Sequence, residues 1–261
     1  MDLGLKDRVF VVTGGSRGLG LASAQALVAE GAHVIIAARD QQGLDEAVAT
    51  LGGSGSAVGL PADLGDPTTA ERIVAAAVAR YGRLDGALLS VGGPSGGSPM
   101  TTDDETWRAA FETVFLGALR VARATANAMS GDPSDLPGVG GSIVFVLSTS
   151  AREVFPGLTT SNGLRPGLAM LVKDLADELG VRGIRVNGLL PGRIATDRVF
   201  AIDARYGAPD MVRRRNEAAI PLGRYGEPEE FGAMATFLLS PKASYISGSL
   251  LTVDGGASRS I

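Results

Sequence analysis

Short apolar runs alternate with longer amphipathic stretches along most of the chain. Residues 9–12 (Val9, Phe10, Val11, Val12) form a run of the kind a parallel strand needs when both of its faces are covered. A glycine-rich turn follows, and the spacing predicts a helix over 18–26. The alternation then repeats, with strands expected at 33–38, 57–60, 84–91, 142–147, 184–190 and 249–253 and helices expected at 42–51 and 229–239. Between residues 60 and 84, Ile73, Val74, Ala77, Val78 and Tyr81 recur at helical spacing, with Asp66 or Thr68 as the expected cap. Residues 103–129 read as one long helix with a stripe that includes Trp107, Phe111, Val114 and Phe115, and 161–179 as another with Leu164, Leu168, Leu171 and Val172 on one face. Residues 130–141 are rich in Gly, Pro, Asp and Ser, which predicts a loop. This order of elements predicts the α/β class: a doubly wound sheet of about seven parallel strands with helices on both faces. No run of Pro, Gly and Ser separates two cores, so residues 1–261 are read as one domain.

Composition narrows the classes of function. The chain is 45% hydrophobic and 20% charged, which suits a sizeable packed core rather than a disordered chain. A net charge of −4 provides no electrostatic footprint for nucleic acid. Cysteine is absent, which excludes disulfides, thiolate nucleophiles and cysteine-based metal sites, and no metal site is expected. The first residues alternate charges with short apolar runs unlike a signal peptide, and no run reaches the roughly 18 apolar residues of a membrane span, so a cytoplasmic protein is expected. The single histidine, His33, is expected at the surface rather than in a catalytic role.

The candidate chemistry begins in the turn after the first strand. Gly14, Gly18 and Gly20 there allow a tight turn, a close approach of backbone to pyrophosphate and a helix packed directly on the strand. The helix that opens at Gly18 would aim its first N–H groups at that phosphate. The second strand ends at Ala38 and Arg39, where an acidic residue would favour a ribose 2′-hydroxyl and an arginine a 2′-phosphate. Arg39 and Arg17 are placed to grip such a phosphate, which points to NADP(H); Asp40, one residue later, keeps NAD(H) as the less favoured alternative.

Thr13–Gly20 (TGGSRGLG) resembles the T-G-x-x-x-G-x-G turn of the short-chain dehydrogenase/reductase family, and the resemblance to its β-ketoacyl-carrier-protein-reductase-like members extends over nearly the whole chain. It implies a Rossmann-type fold with a nicotinamide cofactor held by Gly14, Ser16, Arg17, Gly18, Leu19, Gly20 and Arg39. Asp63 and Leu64 would hold the adenine, and Gly92 would lie beside the ribose. Pro191, Gly192, Ile194 and Thr196, which match the family's P-G-x-I-x-T stretch, would meet the nicotinamide. The resemblance also implies a substrate lid around 197–223, where Arg213, Arg214 and Arg215 cluster, and a homodimer or homotetramer.

The catalytic positions depart from the family's pattern. Ser148, at the end of the fifth strand, matches the serine that hydrogen-bonds the substrate carbonyl. Thirteen residues later, where the family has its tyrosine, stands Ser161, and four residues beyond, where it has its lysine, stands Arg165. The spacing keeps both on one helix face. A serine hydroxyl is far too weak an acid to replace a tyrosine, and an arginine stays charged, so Arg165 is expected to bind ribose hydroxyls or neutralise a developing alkoxide. Ser90-Val91-Gly92-Gly93 replaces the N-N-A-G site, and Val114 stands in place of the helix asparagine that holds a relay water. Three readings follow. One is an NADP(H)-dependent oxidoreductase acting on a small carbonyl or alcohol through Ser148, Ser161 and Arg165. The second is a catalytically silent nucleotide-binding or structural relative. The third is a non-redox isomerase or dehydratase, with Glu153 as its nearest base.

Overall fold

The computed structural model describes residues 1–93, 96–129 and 140–260. Seven strands, β1 (Val9–Thr13), β2 (His33–Ala38), β3 (Ala57–Pro61), β4 (Gly86–Ser90), β5 (Gly141–Val146), β6 (Ile184–Pro191) and β7 (Leu250–Val253), form one sheet in the order β3-β2-β1-β4-β5-β6-β7. Every pairing is parallel. Strand β1 is central, with Val12 opposite Ile36 of β2 on one side and Leu88 of β4 on the other. Its alternate side chains enter different cores: Val9 and Val11 face one, Phe10 and Val12 the other. That two-sided burial is why the strand carries no polar alternation.

One face of the sheet is covered by α1 (Gly18–Ala29), α2 (Gln41–Thr50) and α9 (Pro228–Leu239), through Leu27, Leu44 and Phe231. The other face is covered by α3 (Thr69–Tyr81), α5 (Gly117–Ala128) and α6 (Thr159–Gly180), through Ile73, Val121 and Leu168. The chain leaves β3 at one edge and returns to β4 beside β1, so the strand order reverses between β1 and β4. In such sheets the crevice beyond the carboxyl ends of those two strands is where ligands bind.

Two expectations need correction. The helix expected over 103–129 is divided: α4 (Asp104–Ala110) passes through a π-helical turn, Phe111–Leu116, into α5. Apolar spacing does not detect such a widened turn. Packing explains its position: a Cβ on Gly163 would lie 2.7 Å from the Trp107 ring and one on Gly167 2.9 Å from the Phe115 ring, so α6 receives both rings in notches one turn apart. His33 is half-buried rather than on the open surface, stacked on Tyr81 with ring centroids 4.7 Å apart. Residues 197–223 hold two helices, α7 (Asp197–Asp203) and α8 (Pro209–Ala218). The loop expected at 130–141 lies, apart from Gly140 and Gly141, outside the described residues.

Candidate functional site

The turn between β1 and α1 lies at the β1/β4 crevice. Gly14 has φ 61°, and a Cβ there would stand 2.7 Å from the Ser90 carbonyl oxygen. That same oxygen accepts a hydrogen bond from Thr13 Oγ1 at 2.9 Å. A Cβ on Gly20 would overlap the Gly14 carbonyl, so only glycine lets α1 start so close to the turn. Gly18 has φ 55°, and a Cβ there would sit 3.6 Å from the Thr196 methyl, which brings the stretch after β6 up to the turn. Arg17 occupies the N-cap of α1 and makes no side-chain cap bond to the first turn. Ser16 and Leu19 are half-buried beside them.

Arg17 and Arg39 are both exposed, and neither guanidinium has a hydrogen-bonding or ion-pair partner among the described residues. Asp40 is engaged elsewhere, its carboxylate accepting from Gly43 N–H at 3.2 Å to cap α2. Asp63 is exposed and accepts from Gly65 N–H at 2.9 Å, while Leu64 lies against Gly117, where a Cβ would come within 2.9 Å of its own. Gly92 is exposed, Pro191 and Gly192 are half-buried and Ile194 is buried. Thr196 caps α7, accepting from Val199 N–H at 3.5 Å. Exposed cations, a helix start without a cap bond from Arg17 and a turn that excludes Cβ atoms fit the phosphates of a nicotinamide dinucleotide.

Strand β5 delivers Ser148 to the same end of the sheet. Its hydroxyl oxygen accepts from Ser150 N–H at 3.1 Å, which leaves the hydroxyl proton able to donate. Ser161, in the first turn of α6, lies 2.9 Å from Ser150 Oγ in a buried hydroxyl pair. Arg165, one turn further along, is 4% exposed. It donates to Val146 O at 2.8 Å and to Val91 O at 3.4 Å, joining the ends of β5 and β4, and its Nε has no partner among the described residues. Burial, reinforced by the charge of Arg198, lowers its pKa to about 10, so it remains a cation at neutral pH. Val114 is buried in the π-helical turn and offers a water nothing polar.

Glu153 does not stand as a base in this site. Its carboxylate accepts from Arg259 and Ser260 N–H at 2.7 and 2.9 Å, bonds that hold its pKa below the ordinary carboxylate value. Among Arg213, Arg214 and Arg215, Arg213 pairs with Glu217 at 2.8 Å. The structure adds three residues absent from the candidate set. Ser150 links Ser148 to Ser161. Arg198 lies so close to Gly93 that a Cβ there would overlap its guanidinium. Asp203, buried at the end of α7, accepts from Tyr225 Oη at 2.6 Å and from Arg193 Nη1 at 2.5 Å. The Ser-Thr-Ser sequence at 148–150 was the available signal for Ser150; Arg198 and Asp203 depend on contacts made by distant segments.

A family model described as Enoyl-(Acyl carrier protein) reductase matches residues 14–258. Dehydrogenase/reductase SDR family member 4 of Bos taurus is 35% identical over 256 residues, covering 97% of this chain and 88% of its own length. The chain is an oxidoreductase of the short-chain dehydrogenase/reductase family. L-rhamnose 1-dehydrogenase (NAD(P)(+)) of Azotobacter vinelandii is also 35% identical, with 97% of each chain covered. The crystal structure of L-sorbose reductase from Gluconobacter frateurii, complexed with NADPH and L-sorbose, superposes with a TM-score of 0.89 at 29% identity and full coverage of both chains. Membership accounts for the Rossmann-type sheet and for the position of the cleft. Among the described residues, no helix is long and apolar enough to cross a membrane.

Proposed function

We propose that this protein is an NADP(H)-dependent reductase or dehydrogenase for a small carbonyl/alcohol pair, in which the usual tyrosine–lysine proton machinery is replaced by Ser148, Ser161 and Arg165. The observation that carries the cofactor choice is that Arg17 and Arg39 are exposed and without partners among the described residues, while Asp40 caps α2 instead of waiting for a ribose hydroxyl. The NADPH named with L-sorbose reductase supports the same choice.

When bound, the nicotinamide supplies or accepts a hydride; the protein's part is to orient the reactants and polarise the reacting bond. Gly14, Ser16, Arg17, Gly18, Leu19, Gly20 and Arg39 would hold its phosphates. Asp63 and Leu64 would hold the adenine end. Gly92, Pro191, Gly192, Ile194 and Thr196, with Arg165, would hold the nicotinamide end. Ser148 donates its hydroxyl proton to the substrate carbonyl oxygen, since its lone pair already accepts from Ser150. The Ser150–Ser161 pair fixes the hydroxyl next to it. Arg165 lowers the cost of negative charge on that oxygen through a fixed positive field, its geometry set by Val146 and Val91. The substrate oxygen takes its proton from water, because neither serine nor arginine is a competent acid at neutral pH. We also assign a homodimeric or homotetrameric state, supported by the apolar hollow of about 520 Å³ lined by Trp107, Phe111 and Leu164 and by the 72% exposure of Met170.

The deciding experiment is stopped-flow NADPH oxidation with a panel of ketones, enones and quinones. Turnover of at least one class is expected. Tight NADPH binding with no oxidation by any member would overturn the enzymatic reading of this site.

A further inference from the structure

The stretch that follows β6 is fastened by both backbone and side chain. Ala195 N–H donates to Gly226 O at 2.8 Å, and Gly226 N–H donates to Arg193 O at 3.0 Å. A Cβ on Gly226 would stand 2.7 Å from Ile194 Cδ1, so a glycine there leaves room for the Ile194 side chain. The Arg193 side chain runs to Asp203, the last residue of α7, and pairs with it at 2.5 Å. Thr196 caps the first turn of the same helix through Val199 N–H. Helix α7 is therefore tied to residues 193–196 at both of its ends.

Asp203 also receives two donors from farther along the chain. Tyr225 Oη donates to one carboxylate oxygen at 2.6 Å, and Asn216 Nδ2 of α8 donates to the other at 3.3 Å. Asn216 Nδ2 donates to Tyr225 Oη as well, at 2.8 Å, so Asp203, Tyr225 and Asn216 close a ring to which Arg193 is joined. Asp203 and Tyr225 are buried, and the Arg193 guanidinium lies 5.9 Å from the Tyr225 ring centroid. Desolvation offsets much of the attraction in a buried ion pair, which makes such a pair a weak source of net stability. A carboxylate held by three directed donors does impose one geometry, because rotating it breaks buried hydrogen bonds. That geometry passes through Arg193 to Ile194 and Thr196, and the Thr196 methyl faces Gly18 in the turn after β1.

With Ile194 and Thr196 taken as nicotinamide contacts, the reading on which this rests, we infer that Asp203, Tyr225 and Asn216 are positioning residues for the nicotinamide end of the cofactor. They act through Arg193, which sets the backbone of 193–196. The order of α7 and α8 and the grip on the nicotinamide end are then one equilibrium, while the adenine and 2′-phosphate end, held by residues before β4, is independent of it. Coupling of this kind is reciprocal: whatever loosens the ring weakens that end, and whatever seats there tightens the ring.

The test compares NADPH with adenosine 2′,5′-bisphosphate, which carries the adenine and the 2′-phosphate but no nicotinamide, by calorimetric titration of the full-length protein. Asp203→Asn and Arg193→Met are each expected to weaken NADPH about tenfold, by losing a preorganised contact surface, while the bisphosphate changes less than about twofold. Tyr225→Phe is expected to shift NADPH in the same direction by less, and Arg193→Lys, which keeps the cation, to stay within about threefold of wild type. In the wild type, NADPH but not the bisphosphate is expected to slow proteolysis within residues 197–223. Folded variants that bind NADPH as the wild type does overturn the inference, and so does parallel loss of both ligands, which a merely structural ring would give. Loss of NADPH in Arg193→Met alone also overturns it, since that guanidinium would then touch the cofactor directly. Should Asp203→Asn not fold, equal protection of the wild type by the two ligands is the overturning result. A wild type that binds neither ligand shows instead that the cofactor reading itself has failed, and the positioning role falls with it.

Discussion

Position 161 carries a hydroxymethyl where the family's pattern has a phenol, and the helical scaffold around it is in place. Ser161 and Arg165 still share one face of α6, and the ends of β4 and β5 still hold Arg165 in place. Reinstating the proton machinery with Ser161→Tyr and Arg165→Lys should therefore raise ketone reduction by about 10²–10⁴-fold, the usual worth of a positioned general acid. Steady-state rates with a simple ketone and NADPH measure it; an inert double variant that still folds and binds NADPH would show that these positions do not face the substrate. Gly20 allows an equally sharp test. Its missing side chain is a geometric requirement, because any Cβ would overlap the Gly14 carbonyl. Gly20→Ala should weaken NADPH binding at least tenfold and lower the melting temperature, as seen by fluorescence titration and thermal unfolding.

Between residue and molecule stand the elements that follow β6. Helix α7 is tied down by a buried knot in which Asp203 accepts from Tyr225 Oη, Arg193 and Asn216. Burial, followed by that hydrogen bond to Asp203, raises the Tyr225 pKa, so the phenol remains a donor through neutral pH. Asp203→Ala leaves Arg193 without its ion-pair partner and should cost about 3–5 kcal/mol in urea unfolding, with faster proteolysis of residues 197–223. A second device sits at the start of α9. Arg224 forks onto Glu230 at 2.7 and 2.8 Å, and Glu227 N–H adds a third bond, which together hold the Glu230 carboxyl at about 2 instead of its ordinary 4.5. A carboxyl whose pKa is lower in the folded state stabilises the fold above its unfolded value, and that stabilisation is lost as pH falls from about 4.5 towards 2. Glu230→Gln should accordingly destabilise the protein at pH 7, and the difference from wild type should vanish as unfolding is measured nearer pH 2.

At the scale of the whole molecule, cofactor binding is linked to folding: a ligand at about 100 times its Kd stabilises the native state by about 2.7 kcal/mol. NADPH should raise the melting temperature more than NADH at equal concentration. Arg17→Ala combined with Arg39→Ala should remove most of that difference by weakening NADPH alone; unchanged preference would place the 2′-phosphate elsewhere. Much of this architecture was legible in the order of residues. The run 9–12, apolar on both faces, suited a parallel strand covered on both sides, and the glycines after it suited a tight turn into a helix; the structure has both. The spacing from Ser148 to Ser161 to Arg165 likewise put Ser161 and Arg165 on one face of α6 beside the end of β5, because strand ends and helical turns are local geometry. What the order of residues could not express was anything made by segments far apart. The widened turn at Phe111–Leu116 follows from rings seated on Gly163 and Gly167. The stacking of His33 needs Tyr81, and the burial of Asp203 needs Tyr225. The approach of Arg198 to Gly93 depends on where α7 lands on the strip after β4. Sequence by itself determined the periodicities, and through them the strands, the helices and the sheet; only the tertiary structure decided which charges face one another, because Coulombic and packing energies depend on separation in space and not on distance along the chain.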